Sequence, residues 1–174
     1  EGRLWAGTQN GAFVHTDSGF QLVEGTQDGA VACFFFSDKV LIGTGNGRVL
    51  QAGTHEDGRR FAEKFTTDDL VDSEGRPLII TSLIPDGDRL IVATAGKGLL
   101  AFKDGRFQAL PSGAAPAVVN AALRDASGNI WFGRDAKKDR SGVFVLKNGS
   151  RADIVNAPTA VVLALEADAS GVWA

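Results

Sequence analysis

The sequence predicts an all-β chain of β-propeller blades, each a sheet of four antiparallel strands, with about four repeat units forming part of a larger propeller. Three observations carry this expectation. A short apolar core flanked by turn residues returns five times, anchored on Trp5, Leu41, Ile91, Trp131 and Trp173 at spacings of 36, 50, 40 and 42 residues. Each core travels with further runs of four to eight residues rich in Val, Ile, Leu and Phe. These runs are bounded by Gly, Asp, Asn, Ser and Pro, the signature of strands joined by hairpins. No stretch sustains the apolar period of about 3.6 residues that a helix needs.

The elements follow in order. The first unit, residues 1–28, opens on the core Leu4-Trp5-Ala6-Gly7-Thr8, turns at Asn10-Gly11 and continues through 12–14 and 19–23. The second, 29–76, has an inner run at 30–36, the core Val40-Leu41-Ile42-Gly43-Thr44, the turn Asn46-Gly47 and runs at 46–50 and 60–65. The third, 77–116, places its runs at 78–84, 90–94, 97–102 and 106–110. The fourth, 117–158, places them at 118–123, 130–134, 141–145 and 152–155, and a partial fifth, 159–174, holds 161–165 and Val172-Trp173-Ala174. Small residues on the inner runs, Ala32, Ala121, Ala122 and Ala164, suit a crowded central channel. Residues 2–6 and 171–174 occupy the same repeat position. The chain is therefore expected to be a piece of a longer propeller, whose open edges pair with further blades or with another copy of itself.

Composition removes several function classes. Hydrophobic residues make up 44% and charged residues 22% of the 174, which is globular and not disordered composition. A net charge of -3 argues against a nucleic-acid partner bound through overall charge. A single cysteine excludes an internal disulfide and a multi-cysteine metal cluster. No apolar run approaches the roughly 18 residues of a membrane-spanning helix, so membrane insertion by this segment is not expected. The opening Glu1-Gly2-Arg3-Leu4-Trp5 has no signal-peptide pattern.

The repeat Asp-x-x-Gly-x-(Ile/Leu)-Trp-x-Gly-Thr, followed by a glycine turn and an apolar run, resembles the two-component regulator propeller repeat. Residues 125–133 (Asp-Ala-Ser-Gly-Asn-Ile-Trp-Phe-Gly) match it best, and 2–8 and 168–174 match well. Residues 38–44 and 86–94 are degenerate copies in which Leu41 and Ile91 replace the tryptophan. The resemblance implies a sensor-type propeller of bacterial histidine kinases, held in the periplasm or outside the cell. The blades also resemble those of streptogramin lyases, enzymes that use histidine near the channel with Mg2+.

The residues give that enzymatic alternative little to work with. His15 follows the apolar run 12–14 on what reads as an outer strand, and His55 lies in the polar turn 54–58. Asp38, Asp86, Asp88, Asp125 and Asp168 recur before successive cores, which fits turn capping, since a catalytic constellation does not repeat once per blade. Asp86-Gly87-Asp88 lacks the further ligands of a calcium loop. Gly96-Lys97-Gly98 opens a strand and not the helix a phosphate loop needs. Cys33, inside the apolar run 30–36, reads as a buried inert thiol. Trp5, Trp131 and Trp173 share one repeat position in mid-strand, which fits packing between blades better than ligand stacking. No cofactor and no metal are expected.

One asymmetry remains. The turns that follow the cores carry Gln9, Asn10, Asn46, Lys97, Arg134, Lys137, Lys138 and Arg140, with an insertion in the fourth unit at 134–140. The turns on the opposite side carry the aspartates. Loops on a rigid scaffold concentrate binding residues, so this mildly basic rim is the expected contact for a small-molecule or anionic ligand. The functional expectation is a non-catalytic ligand-sensing segment, with a lyase-like enzyme and a protein-interaction scaffold as alternatives.

Overall fold

The computed structural model describes residues 3–110, 117–134, 142–152, 154 and 160–174. Its strands fall into two compact units, Glu1–Ile80 and Thr81–Ala174. In the first unit, β1 (Trp5–Thr8), β2 (Gly11–Thr16) and β3 (Gly19–Leu22) form a three-stranded sheet. There too, β4 (Val31–Phe36), β5 (Val40–Thr44), β6 (Val49–Thr54) and β7 (Arg60–Lys64) form a four-stranded sheet. The second unit holds the four-stranded sheet of β8 (Ile79–Asp86), β9 (Arg89–Ala95), β10 (Gly98–Lys103) and β11 (Arg106–Ala109), whose first strand begins at the junction. A further four-stranded sheet contains β12 (Ala121–Arg124), β13 (Ile130–Gly133), β14 (Val143–Lys147) and β15 (Ser150–Ala152). The pair β16 (Glu166–Asp168) and β17 (Gly171–Trp173) ends the chain. Among the described residues the pairings between these strands are antiparallel and sequential, for example Trp5↔Val14, Ile42↔Leu50 and Phe132↔Phe144. These meandering sheets are blades of a β-propeller, and no described residue is helical.

Hydrophobic side chains fill the space between successive sheets within each unit. In the first, Ala12, Val14, Val23, Val31, Ile42, Leu50 and Ala62 are buried together, with Trp5 and Phe34 packed against them. In the second, Ile84, Ile91, Ala93, Val119, Phe132 and Phe144 lie at the centre of the corresponding cluster. The small residue of each core repeat, Gly7, Gly43, Ala93 or Gly133, marks where the next inner segment passes. A Cβ on Gly7 would stand 2.9 Å from Val31 Cγ1, and one on Gly43 would stand 2.7 Å from Ile80 Cγ2 and collide with Cys33 Sγ. On Gly133 it would stand 2.8 Å from Val162 Cβ and collide with the same side chain's Cγ1. Real Cβ contacts essentially never fall this close, so the repeat keeps glycine there because neighbouring side chains occupy the space a Cβ would take.

The threonine that ends the core closes the following turn. Thr8 Oγ1 donates to Gly11 O at 2.9 Å and accepts from Asn10 N at 3.1 Å. Thr44 Oγ1 lies 2.9 Å from both the carbonyl and the amide of Arg48. Thr94 Oγ1 donates to Gly98 O at 3.0 Å and accepts from Lys97 N at 3.0 Å. In the fourth repeat Arg134 takes the threonine's place, and its backbone N still donates to Gly142 O at 2.9 Å.

Two strand bounds differ from expectation. β15 spans Ser150–Ala152, whereas the fourth repeat's last strand is expected over 152–155, of which residues 153 and 155 lie outside the described residues. Asn148 and Gly149 both adopt positive φ (50° and 76°) and pair Lys147 with Ser150, so a two-residue turn starts the strand earlier. The run at 161–165 forms no strand, and β16 begins at Glu166. Val162 is nonetheless buried, with its N–H donating to Arg134 O at 3.1 Å and its carbonyl accepting Asn120 Nδ2 at 3.1 Å. Of the small residues on the inner runs, Ala32 and Ala164 are exposed, and Ala121 and Ala122 half-buried. Ala32 sits where the β4–β5 ladder shifts register between Val31 and Cys33, and Ala164 lies outside any strand.

Candidate functional site

Among the recurring aspartates, Asp125 and Asp168 cap turns as expected and also do something the spacing did not disclose. Asp125 Oδ1 accepts the backbone N–H groups of Ser127 and Asn129, each at 2.9 Å. Its Oδ2 accepts Asn129 Nδ2 at 2.9 Å and the indole Nε1 of Trp131 at 2.7 Å. Partial burial works to raise the Asp125 carboxyl, but the donors from Trp131, Asn129 and Ser127 outweigh it and hold it down at about 2. Asp168 repeats the pattern, accepting Ser170 N at 2.7 Å and Trp173 Nε1 at 3.1 Å. A further copy, Asp72, accepts Glu74 N at 2.8 Å, Arg76 N at 2.9 Å and Arg76 Nε at 2.7 Å. Asp38, Asp86 and Asp88 engage side chains instead. Asp38 accepts the Ser37 hydroxyl at 2.7 Å, Asp86 holds Arg89 at 2.6 Å and Arg124 at 3.2 Å, and Asp88 holds Lys103 at 2.5 Å. Between Asp86 and Arg89 only two residues intervene before the ladder resumes, which leaves no longer loop to cap.

The residues of the expected basic rim take up different environments. Gln9, Asn10 and Lys97 are exposed on their turns. Asn46 is tied into the structure: its Oδ1 is 2.6 Å from Thr44 Oγ1 and its Nδ2 donates to Asp28 O at 3.0 Å. Arg134 is buried, at 8% exposure, with its guanidinium 4.5 Å from the centre of the Phe144 ring. Lys137, Lys138 and Arg140 lie outside the described residues.

A concave site lies elsewhere, at the opposite end of the strands of the first unit. The register Trp5↔Val14 and Thr8↔Gly11 puts Trp5 at the end of β1 remote from the Gln9-Asn10 turn. There a groove of about 540 Å³ is lined by Arg3, Trp5, Phe36, Asp38, Lys39 and Arg60, among others. Trp5 meets Phe34 edge-on at 5.9 Å and Phe36 at 6.1 Å, and Phe34 stacks on Phe36 at 5.7 Å. Trp5 thus packs between sheets, as its repeat position implies, and forms part of the groove wall as well. Phe36, at the very end of β4, is 53% exposed. Arg3, Lys39 and Arg60 supply three positive charges against one from Asp38, whose carboxyl is held below its ordinary value chiefly by the Ser37 hydroxyl. Sequence reading missed this groove. The available signal was Phe36, an aromatic residue standing directly before the polar turn Ser37-Asp38-Lys39.

The two histidines have local roles. His15 is exposed on β2, the middle strand of its sheet and not an outer one, and meets Phe20 edge-on at 5.1 Å. His55 stacks against Phe61 at 4.5 Å and lies 3.5 Å from Glu24, which also pairs with Arg59. Cys33 is partly buried with Sγ 3.6 Å from Ile80 O, and desolvation pushes its thiol up to about 12. Among the described residues no three His, Cys, Asp or Glu side chains converge as a metal site.

No family model matches the sequence, and no curated protein does. Solved structures do match. The extracellular domain of BT4673 from B. thetaiotaomicron has been described both as part of a hybrid two component system and as part of a one component system. Both of its structures superpose with a TM-score of 0.69, at 18% and 17% identity, over 98% of this chain and 24% of that one. The computationally designed Ika8 protein superposes with a TM-score of 0.62 at 17% identity, over 99% of this chain and 52% of that one. The chain therefore spans about a quarter of the BT4673 domain and about half of the designed protein. At these identities the likeness is one of fold. The chain shares the propeller fold of that domain.

Proposed function

We propose that this chain is a ligand-binding segment of an extracytoplasmic sensor, acting without chemical turnover. The observation that carries the reading is the likeness over 98% of the chain to the extracellular domain of BT4673. A groove with exposed aromatic and cationic walls gives such a segment a place to hold a ligand. A ligand seated between β1 and the β4–β5 turn would favour one packing of neighbouring sheets over another, and this is how binding would be passed on. The same likeness supports a location outside the cytoplasm.

The test is to titrate the purified chain calorimetrically with a panel of small charged and neutral metabolites, and to analyse the mixtures by mass spectrometry. Saturable one-to-one binding with the compound recovered unchanged is the expected result. Conversion of a bound compound into a product would overturn the non-catalytic reading.

A further inference from the structure

The groove by Trp5 differs from the rest of the surface in how its charges are used. Elsewhere the cationic side chains are commonly committed to carboxylates: Arg48 to Asp28 and Asp69, Arg76 to Asp72, Arg89 to Asp86, Lys103 to Asp88. Arg3 and Lys39, both exposed on the groove wall, form no ion pair among the described residues. Arg60 brings a third cation to the same wall. Among the described lining residues the one carboxylate, Asp38, is engaged by Ser37. Counting Arg3 and Lys39 against Asp38, the described wall is locally positive by about one charge in a chain whose net charge is -3. Beside these cations lies an aromatic surface that packing has not covered, with the face of Phe36 half in solvent and the Trp5 ring inclined to it at 62°. Flat apolar surface beside the cationic Arg3 and Lys39 is complementary to a ligand that is flat and apolar on one side and anionic on the other.

We propose that this groove binds a small ring-bearing carboxylate, its ring against Trp5 and Phe36 and its carboxylate toward Arg3, Lys39 and Arg60. The volume of about 540 Å³ accommodates one or two rings. The proposal rests on the reading of the chain as a ligand-binding segment and names the ligand class and the residues that recognise it. Aromatic carboxylates and cyclic sugar acids both present this chemistry, and the probes separate them.

The experiment uses benzoate, indole-3-acetate and glucuronate as probes, with benzamide and glucose as neutral counterparts. Binding is followed by calorimetry and by the indole N–H resonances in 15N-labelled protein. At least one carboxylate should bind about tenfold or more tightly than its neutral counterpart, as expected when a charge-assisted hydrogen bond is removed. The Trp5 indole resonance should move while those of Trp131 and Trp173 stay. Arg3→Glu with Lys39→Glu should weaken binding by at least the same factor. Both side chains are exposed, and unchanged thermal unfolding would verify the fold. Equal affinity for charged and neutral probes, retained affinity in the double variant, or no carboxylate binding up to about 10 mM would overturn the groove. Binding that leaves Trp5 unmoved would overturn the groove but keep the sensor reading, since the ligand would then sit elsewhere. Turnover of a carboxylate that moves Trp5 would uphold the groove and overturn the non-catalytic reading.

Discussion

The indole of Trp131 donates to the carboxylate of Asp125 at 2.7 Å, across a turn that the same carboxylate closes by accepting two backbone N–H groups. One side chain thus sets the turn between β12 and β13 and fixes the ring on the strand beyond it. Asparagine at position 125 would turn an amide N–H, itself a donor, toward the indole or toward Asn129. Asp125→Asn should cost about 1–2 kcal/mol in denaturant unfolding, near the lower end because the site is open to solvent. In a Trp131→Phe background the cost should shrink. Equal costs in the two backgrounds would show that ring and carboxylate are not coupled.

The same contact predicts an acid titration. The Asp125 carboxyl is lowered from its ordinary 3.8 to about 2, so the folded state favours its ionised form. Its contribution to stability is present above 3.8 and is lost as pH falls through about 2. The Trp131 indole N–H resonance should therefore titrate with a midpoint near 2. The Trp173 resonance should titrate below 3.8, because Asp168 is likewise lowered, first by the Ser170 hydroxyl. A Trp131 midpoint at 3.8 would refute the bond.

Gly133 tests the close approach between segments. A methyl group there meets Val162, so Gly133→Ala should destabilise by about 1–3 kcal/mol despite the gain of about 0.4–1 kcal/mol from a stiffer unfolded chain. Trimming the obstacle with Val162→Ala should return part of the loss. Additive costs in chemical denaturation would contradict the contact.

Cys33 should be slow toward thiol reagents. With its thiol pushed up to about 12, the thiolate is scarce at about pH 8. Labelling by a chromogenic disulfide should follow unfolding and become immediate only in denaturant. Rapid labelling of the folded chain would contradict the burial.

The turn at Asn148 offers a backbone test. At φ 50°, Asn148→Val should cost about 1–2 kcal/mol, whereas Asn148→Gly should be close to neutral in thermal unfolding.

Much of this architecture was legible in the sequence because turn chemistry and apolar runs act locally. The cores fall on equivalent strands, and where a core has the tryptophan, the glycine or the threonine, each answers a local demand: a ring to pack, a close approach, a turn to close. The errors arose where one local signal outweighed another. Apolar content suggested a strand at 161–165, but Val162 is held by contacts to Arg134 and Asn120, which are distant in sequence. The Asn148-Gly149 turn was present in the sequence and should have taken precedence over the apolar pair that follows. Arg134 looked like a surface cation by residue type, and only tertiary packing shows it lying on Phe144. The groove escaped notice because Arg3, Phe36 and Arg60 are far apart in the chain and become neighbours only when β1 lies beside β4.

The hydroxyls of Thr8, Thr44 and Thr94 each bond within their own bend, and at Arg134 the main chain rejoins at Gly142 although seven residues lie between them where the bend at Thr44 has three before Arg48. Each bend is in this sense a cassette whose hydroxyl bonds stay within one copy, while its main chain also ties to a neighbouring copy, as Gly96 and Gly98 do to Ala117 O. Such cassettes can lengthen, shorten or exchange a bend in one place while their siblings keep their shape, so new recognition surfaces can evolve on one copy without the others having to adjust.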